Sequence, residues 1–345
     1  MVTEEKTIPA PAIVMKSDIQ RLLPPEPGLV LDGRFLIHEL LSEGGTSRIF
    51  KATDLEKGDL VALKVPKEHY AQDAEFLERF RTEEEIGLRI RHPYLIAMRP
   101  VSYKSRPYLV MEYVKGETLA CRLMSGPRPS VSEAARIAVM ILGALEELHR
   151  LGIVHRDVTP QNVMLSENGT VRLMDYGIAV CSSRKADSVP AEEWIWGTPA
   201  YMAPEQVRNE AGDPKTDLYS LGIVLYEMVT GSVPFVGEDP VDVMNARLVE
   251  APVRPRTLAP DLDPELEKIV LRALEKTPRN RYPSARAMKA ALERVASASF
   301  VRSAGRRAEA GWKRWIWENW AEIAATILIA ALVARICCEL RHLST

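Results

Sequence analysis

The chain has 345 residues, 46% of them apolar and 27% charged, a mixture that excludes whole-chain disorder and fibrous repeats. Its 45 Lys and Arg are balanced by 47 Asp and Glu for a net charge of −2, so no broad basic field invites nucleic acid. Cys121, Cys181, Cys337 and Cys338 form neither a CxxC pair nor a disulfide framework, and the N-terminus lacks an apolar signal segment. The body of the protein is therefore expected in a reducing, cytoplasmic compartment.

Residues 1–28 carry Pro9, Pro11, Pro24, Pro25 and Pro27 without periodicity and predict a flexible leader. Strand-like runs follow at Phe35–Leu41, Arg48–Ala52 and Leu60–Val65, the last two separated by a Lys57-Gly58 turn. A charged helix is predicted over Asp73–Ile90, stopped by His92-Pro93, with further strands at Ile96–Tyr103 and Tyr108–Tyr113. Long helices dominate after Gly116. Ser130 to Glu133 has the capping-box form, and Ile137, Ile141, Leu145 and Leu148 recur at helical spacing. Asn162–Leu165 and Thr170–Met174 predict a hairpin around Asn168-Gly169. Leu218–Val229 is apolar nearly all round and ends at Gly231, which predicts a fully buried helix, and another helix is expected at Pro264–Leu274. A strand-rich first part thus meets a helix-rich second part near Glu112–Gly116, the pattern of an α+β chain with two lobes and a cleft at the join.

Three stretches carry chemistry. Leu41 to Ile49 places Gly44-Gly45 between two predicted strands, where bare backbone N–H groups could approach phosphate oxygens; a plain hairpin turn is the alternative. Lys64 sits on the strand that follows. His155-Arg156-Asp157-Val158-Thr159-Pro160-Gln161-Asn162 sets a carboxylate and an amide five residues apart on one loop. Asp175-Tyr176-Gly177, one hairpin later, supplies a second carboxylate for a hard cation, which prefers oxygen ligands.

Taken in this order, and joined by Gly197-Thr198-Pro199-Ala200-Tyr201-Met202-Ala203-Pro204-Glu205 and Asp217-Leu218-Tyr219-Ser220-Leu221-Gly222, these segments make Phe35–Leu292 resemble a bacterial-type, Hanks-type serine/threonine protein kinase. The resemblance implies an α+β, bilobal fold with an N-lobe over 29–115 and a C-lobe over 116–295. It implies that Lys64 holds the phosphates of ATP and pairs with Glu83, with Glu84 and Glu85 the neighbours that a shift of register would promote. It gives Asp157 the proton of the substrate hydroxyl, and Asn162 and Asp175 the Mg²⁺ ions, with Mn²⁺ the substitute. Leu41, Ile49, Ala62 and Leu165 would line an adenine pocket backed by Met111, with backbone groups of Glu112 and Val114 at the adenine edge. Thr198 would lie beside Asp157 and favour protein Ser/Thr hydroxyls as acceptors. Glu205 would pair with Arg281, and Asp217 would anchor the catalytic loop, cap a helix, or both. Arg156 before Asp157 implies control by phosphorylation between Asp175 and Trp196, where Ser182, Ser183 and Ser188 are available, with a second copy of the chain in a homodimer as one enzyme that could transfer the phosphoryl group there from ATP.

The chain also departs from the family pattern. Ser42 and Ser47 replace two glycines of the loop, and Thr159 replaces a lysine two residues after the catalytic Asp. Loss of that charge-assisted contact is worth about 2–4 kcal/mol of transition-state stabilisation. Two functions stay in view: a phosphotransferase acting on proteins, and an ATP-binding pseudokinase scaffold.

Beyond residue 295, a basic, Trp-rich stretch (296–320) precedes the uncharged run 323–334. Aromatic and positive flanks around an apolar helix predict a membrane anchor over 321–338 with a short tail, 339–345, and the catalytic body on the cytoplasmic side. The uncharged run alone rises about 18 Å, short of a roughly 30 Å hydrocarbon core, so a span needs Glu322 and Arg335 at the two interfaces. The other reading is a cytoplasmic protein whose last helix is an extra core helix packed on the kinase body or on a partner chain.

Overall fold

In the computed structural model, the described residues are 25–175, 180–181, 199–210, 212–295 and 319–320. The chain divides into two compact units, 1–292 and 293–345. In the first, β1 (Val30–Leu31), β2 (Phe35–Glu43), β3 (Ser47–Asp54) and β4 (Asp59–Pro66) run as an antiparallel meander. β5 (Met98–Arg99) and β6 (Leu109–Glu112) complete a six-stranded sheet of order β1-β2-β3-β4-β6-β5. The period-2 alternation of the sequence becomes one apolar face: Phe35, Ile37, Phe50, Ala52, Val61, Leu63, Val65, Tyr108 and Val110 form a single buried cluster. Ala62 and Lys64 therefore point to the opposite face. Residues 1–24 of the expected leader lie outside the described residues, and at its end the Gly28 N–H donates to Ile37 O (2.8 Å) at the sheet margin.

Helix α1 (Ala74–Arg89) begins where Asp73 accepts from the Phe76 N–H (2.9 Å) and stops at Ile90. It buries a narrow stripe, Phe80, Glu83, Ile86 and Gly87. A Cβ at Gly87 would stand 2.3 Å from Met98 Sδ, so the helix rests directly on β5. The predicted strand Ile96–Tyr103 contracts to Met98–Arg99. Pro100 and Pro107 remove ladder donors, and the residues before Met98 are used elsewhere: Ile96 N–H donates to Leu173 O (3.0 Å) and Leu173 N–H to Tyr94 O (2.9 Å).

The second lobe opens with β7 (Gly116–Thr118), three residues that give no sequence signal, followed by α2 (Leu119–Ser125) and α3 (Val131–Arg150). Ser130 caps α3 by accepting from the Glu133 N–H (3.2 Å), and the stripe of Ile137, Ile141, Leu145 and Leu148 is buried as its spacing requires. β8 (Ile153–Val154) pairs with β11 (Val180–Cys181), while β9 (Val163–Ser166) lies between β7 and β10 (Val171–Leu173). Gly116 touches the backbone of β9 so closely that a Cβ would sit 1.9 Å from Leu165 O, so any larger residue would part the two strands. Helices α4 (Pro204–Val207), α5 (Pro214–Thr230), α6 (Pro240–Val249), α7 (Pro255–Leu258) and α8 (Pro264–Ala273) follow, and a last helix starts at residue 285. α5 is buried on all sides, as its composition predicts, and ends on the left-handed Gly231 (φ 84°).

Candidate active site

Register brings the candidate residues together. Lys64 lies on β4 between Ile49 of β3 and Leu109 of β6, and Ala62 lies opposite Met111. Lys64 is only 8% exposed. Its Nζ donates to Glu83 Oε1 (2.8 Å) and Oε2 (2.9 Å), and lies 3.0 Å from Asp175 Oδ1. Glu83, 2% exposed, enters from the apolar stripe of α1. Its neighbour Glu84 instead meets Lys104 (2.5 Å), and Glu85 faces outward.

Burial pulls the Lys64 ammonium down, but the charges of Asp175 and Glu83 outweigh it and hold the pKa above the ordinary lysine value. Burial pushes the Glu83 carboxyl up to about 7, against the pull of Lys64 and with the help of the Asp175 charge. Asp157 is raised as well, by burial first and by Asp175 second. Protonation of Glu83 removes the anion that holds Lys64 in place. Any activity that depends on the pair is therefore expected to fall as pH drops through about 7, an acid limb in its pH profile. The linked stability has the opposite sign. With a folded pKa above the ordinary value, Glu83 stabilises the fold at acid pH and loses that contribution as pH rises through about 7. Thermal unfolding and kcat/KM measured on the same samples between about pH 6 and pH 8 test both limbs; a kcat/KM flat across that window overturns the coupling.

The loop bearing Asp157 is fixed from several sides. Asn162 Nδ2 donates to Asp157 O (2.9 Å) and Oδ2 (2.7 Å). Arg156 and Asp175 both adopt left-handed backbone, with φ of 66° and 65°. Such conformations cost roughly 1–3 kcal/mol each unless their surroundings enforce them. Around Arg156 they do: Asp217 accepts from the N–H groups of His155 (3.0 Å) and Arg156 (2.7 Å), and Gln206 Nε2 donates to Arg156 O (2.9 Å). Asp217 also receives His149 Nε2–H (2.7 Å). The capping of α5 belongs to Asp213, which accepts from the Lys215 N–H (2.7 Å), so the helix-cap reading of Asp217 is corrected and its anchoring role stands. His155 joins the two acidic segments, accepting from the Asp157 N–H at Nδ1 (3.2 Å) and donating from Nε2 to Met174 O (3.0 Å).

Sequence reasoning missed His155, Gln206 and His149 as braces, and also Arg172. The last donates from Nε to Glu112 Oε1 (3.0 Å), which receives the Ala97 N–H as well (3.1 Å), so one carboxylate spans the join between the lobes. The Glu112 N–H is itself committed to Ala97 O (2.9 Å). Leu165 on β9 pairs with Glu117 of β7, just past the join, while Leu41, Gly44 and Gly45 are exposed on the far side of the sheet margin. Val114 is half-buried between them in the chain. Glu205 and Arg281 pair as expected, at 2.6 and 2.7 Å. Thr198, Ser182, Ser183 and Ser188 lie outside the described residues, as does the expected anchor at 321–338.

Comparison with known proteins agrees with this geometry. The protein kinase domain family matches residues 35–292. The serine/threonine-protein kinase PknB of Mycolicibacterium smegmatis is 40% identical over 270 residues, covering 77% of this chain and 43% of that protein. PknL of Mycobacterium tuberculosis is 38% identical over 271 residues, 77% of this chain and 67% of that one. This chain therefore spans less than half of the first relative's length. The crystal structure of a point mutant of the PknI kinase domain of Mycobacterium tuberculosis superposes with a TM-score of 0.61 over 79% of this chain and 99% of that one; at 24% identity it speaks for the fold.

Proposed function

The chain belongs to the protein kinase family, with the bacterial serine/threonine kinases, and from that premise we propose that it transfers the γ-phosphoryl group of ATP to serine and threonine hydroxyls of proteins. The convergence of Lys64 on Glu83 and Asp175, beside an Asp157–Asn162 pair, carries this reading. Lys64, held charged, is the group for the α- and β-phosphates, and Glu83 keeps its ammonium aimed. Asp157 takes the hydroxyl proton as the new P–O bond forms, and the phosphoryl group leaves ADP.

The donors fit a hard cation. Asn162 spends its amide N–H₂ on Asp157 and so has its oxygen for a metal, and Asp175 adds a carboxylate. Asn162 and Asp175 would hold such an ion together with phosphate oxygens of the nucleotide, the usual habit of Mg²⁺. When bound, that ion (Mg²⁺, or Mn²⁺ in its place) neutralises charge on the phosphates.

At the other end of the nucleotide in this reading, Met111 and Ala62 would back the base, Leu41, Ile49 and Leu165 would enclose it, and backbone groups of Glu112 and Val114 would meet its edge. Gly44 has room for a Cβ, which would meet only Ser47 O at 3.5 Å. The fold itself does not demand a glycine there, so the bare backbone of Gly44-Gly45 serves close approach to phosphate. A second copy of the chain is one protein acceptor in this reading. Incubation with Mg²⁺ and γ-labelled ATP should label the protein itself or casein; tight ATP binding with no label in either would leave the scaffold reading instead.

The segment 321–338 serves as a membrane anchor in this reading, supported by its uncharged run and Trp-rich basic flank. Among the described residues no helix is long and apolar enough to cross a membrane. Full-length protein should sediment with membranes and resist a high-salt wash, whereas recovery wholly in the soluble fraction rejects the anchor.

A further inference from the structure

Two successive carboxylates of α1 leave the helix about 100° apart around its axis, and each meets a lysine on the sheet side. Glu83 takes Lys64 of β4, and Glu84 takes Lys104 (2.5 Å), in the segment that leads into β6. Lys104 does more than close an ion pair. Its Nζ also donates to Tyr108 O (2.7 Å) and stands 5.2 Å from the centroid of the Tyr108 ring. The residue after that carbonyl, Leu109, is the cross-strand partner of Lys64. Tyr108 is itself fixed: it is fully buried, its ring meets that of Phe35 edge-on (5.9 Å), and its hydroxyl donates to Asp32 Oδ2 (2.7 Å) in the turn between β1 and β2. Asp32, at a left-handed φ of 52°, also accepts from the Ser105 N–H (3.1 Å), next to Lys104 in the chain. The segment 104–108 is thus tied to the first turn of the sheet, and Lys104 carries that tie to α1.

With side-chain exposures of 18% and 25%, Lys104 and Glu84 form a partly hydrated pair of the kind that adds little to folding. What the pair restricts is the helix. The apolar stripe of Phe80, Ile86 and Gly87 decides which face of α1 meets the sheet, but apolar contact is non-directional and sets the roll of the helix only coarsely. At the roughly 6 Å radius of helix side chains, a roll of about 20° displaces a carboxylate by about 2 Å. That breaks the 2.8 Å bond from Lys64 to Glu83. A directional contact from the next residue, a quarter-turn away, removes the roll. We propose that Lys104 is a positioning residue for the nucleotide site: through Glu84 it fixes the roll of α1, and so the aim of Glu83 at Lys64. This rests on the kinase reading, which it deepens by a residue outside the cleft.

The test uses the full chain with Mg²⁺, ATP and casein. In K104M, and equally in E84A, kcat/KM for ATP should fall about tenfold, since a small misplacement of a binding group lowers the rate steeply. The unfolding midpoint should stay within about 2 °C of wild type in both, as the loss of a partly exposed pair requires. Because the two residues act through one contact, the double variant should be no slower than the slower single one. K104R keeps the charge and can donate to both acceptors, so it should hold kcat/KM within about threefold of wild type. E84A, which leaves Lys104 on Tyr108 O, carries the comparison if K104M does not fold. An unchanged kcat/KM in either single variant, losses that multiply in the double one, a K104R as slow as K104M, or a midpoint lowered beyond that margin overturns the role. Wild-type protein that binds ATP but labels neither casein nor itself overturns the kinase reading instead, and titration of the same variants with Mg²⁺ and ATP then tests the aim of Lys64 by affinity alone.

Discussion

Asp157→Asn should abolish phosphoryl transfer while ATP binding persists. The substitution keeps the shape of the side chain and its place against Asn162, whose Nδ2 lies 2.7 Å from Asp157 Oδ2, yet an amide accepts no proton at neutral pH. Removing a positioned general base lowers turnover by about 10²–10⁴-fold. The groups that hold the nucleotide in the proposed mechanism, Lys64 and Glu83, make their contacts to each other and to Asp175, so they are left intact. Burial and the Asp175 charge raise the native carboxyl, which makes it a better proton acceptor than an exposed aspartate. The comparison is a label-transfer rate beside a nucleotide-binding titration. Equal rates for wild type and variant would remove Asp157 as the base, whatever happened to binding.

The largest effect on stability is expected from Arg281→Met. The guanidinium is fully buried and grips both oxygens of Glu205, at 2.6 and 2.7 Å. It also donates to the backbone oxygens of Glu275 (2.7 Å), Lys215 (3.0 Å) and Lys276 (3.1 Å). Methionine fills similar volume but leaves the Glu205 carboxylate with only Thr216 Oγ1 (2.8 Å) as a side-chain donor. Stranding one partner of a buried pair costs about 3–5 kcal/mol. For a domain of this size that lowers the unfolding midpoint by on the order of 10 °C. The double variant Arg281→Met, Glu205→Met removes the stranded charge and should recover part of the loss. Burial raises the Glu205 carboxyl, but Arg281 outweighs it and the net pKa is depressed, so the pair stabilises at neutral pH and fails as acid protonates Glu205. A midpoint within about 2 °C of wild type in the single variant would show that the charge is not stranded.

The contrast between Arg281 and Arg247 of α6 marks where sequence reasoning reaches and where it stops. Glu205, Arg281, Lys64, Asp157, Asn162 and Asp175 were legible because the ordered motifs of the family resemblance name them, while the lysine alone carried little signal. Asp73 and Ser130 were legible as caps because capping is local, decided within three residues. Glu83 was separable from Glu84 and Glu85 by periodicity as well, since it shares a face with Phe80, Ile86 and Gly87. Arg247 gave no such sign. Nothing within α6 reveals that its guanidinium is buried against carbonyls 47 and 48 residues earlier in the chain. β7 was invisible for a related reason: three residues with Gly116 at their head have no pattern, and they form a strand only because β9 lies alongside. The strand Ile96–Tyr103 was overextended because its apolar start is recruited by β10, a contact that no local propensity encodes.

That recruitment has a mechanical consequence. The stretch just after α1 is fastened to β10 by the Tyr94, Ile96 and Leu173 backbone bonds, while at the other end Asp73 caps the helix and the Tyr70 ring lies 5.2 Å from that of Phe76. A rotation of the helix about Ile90 would move its Ala74 end furthest. Glu83 sits seven residues from the pivot, an arm of about 10 Å at 1.5 Å per residue. A swing of about 10° carries its carboxylate roughly 2 Å, enough to break a 2.8 Å contact with Lys64. Whatever presses on the Ala74 end of α1 therefore has leverage over the contact that orients the Lys64 ammonium.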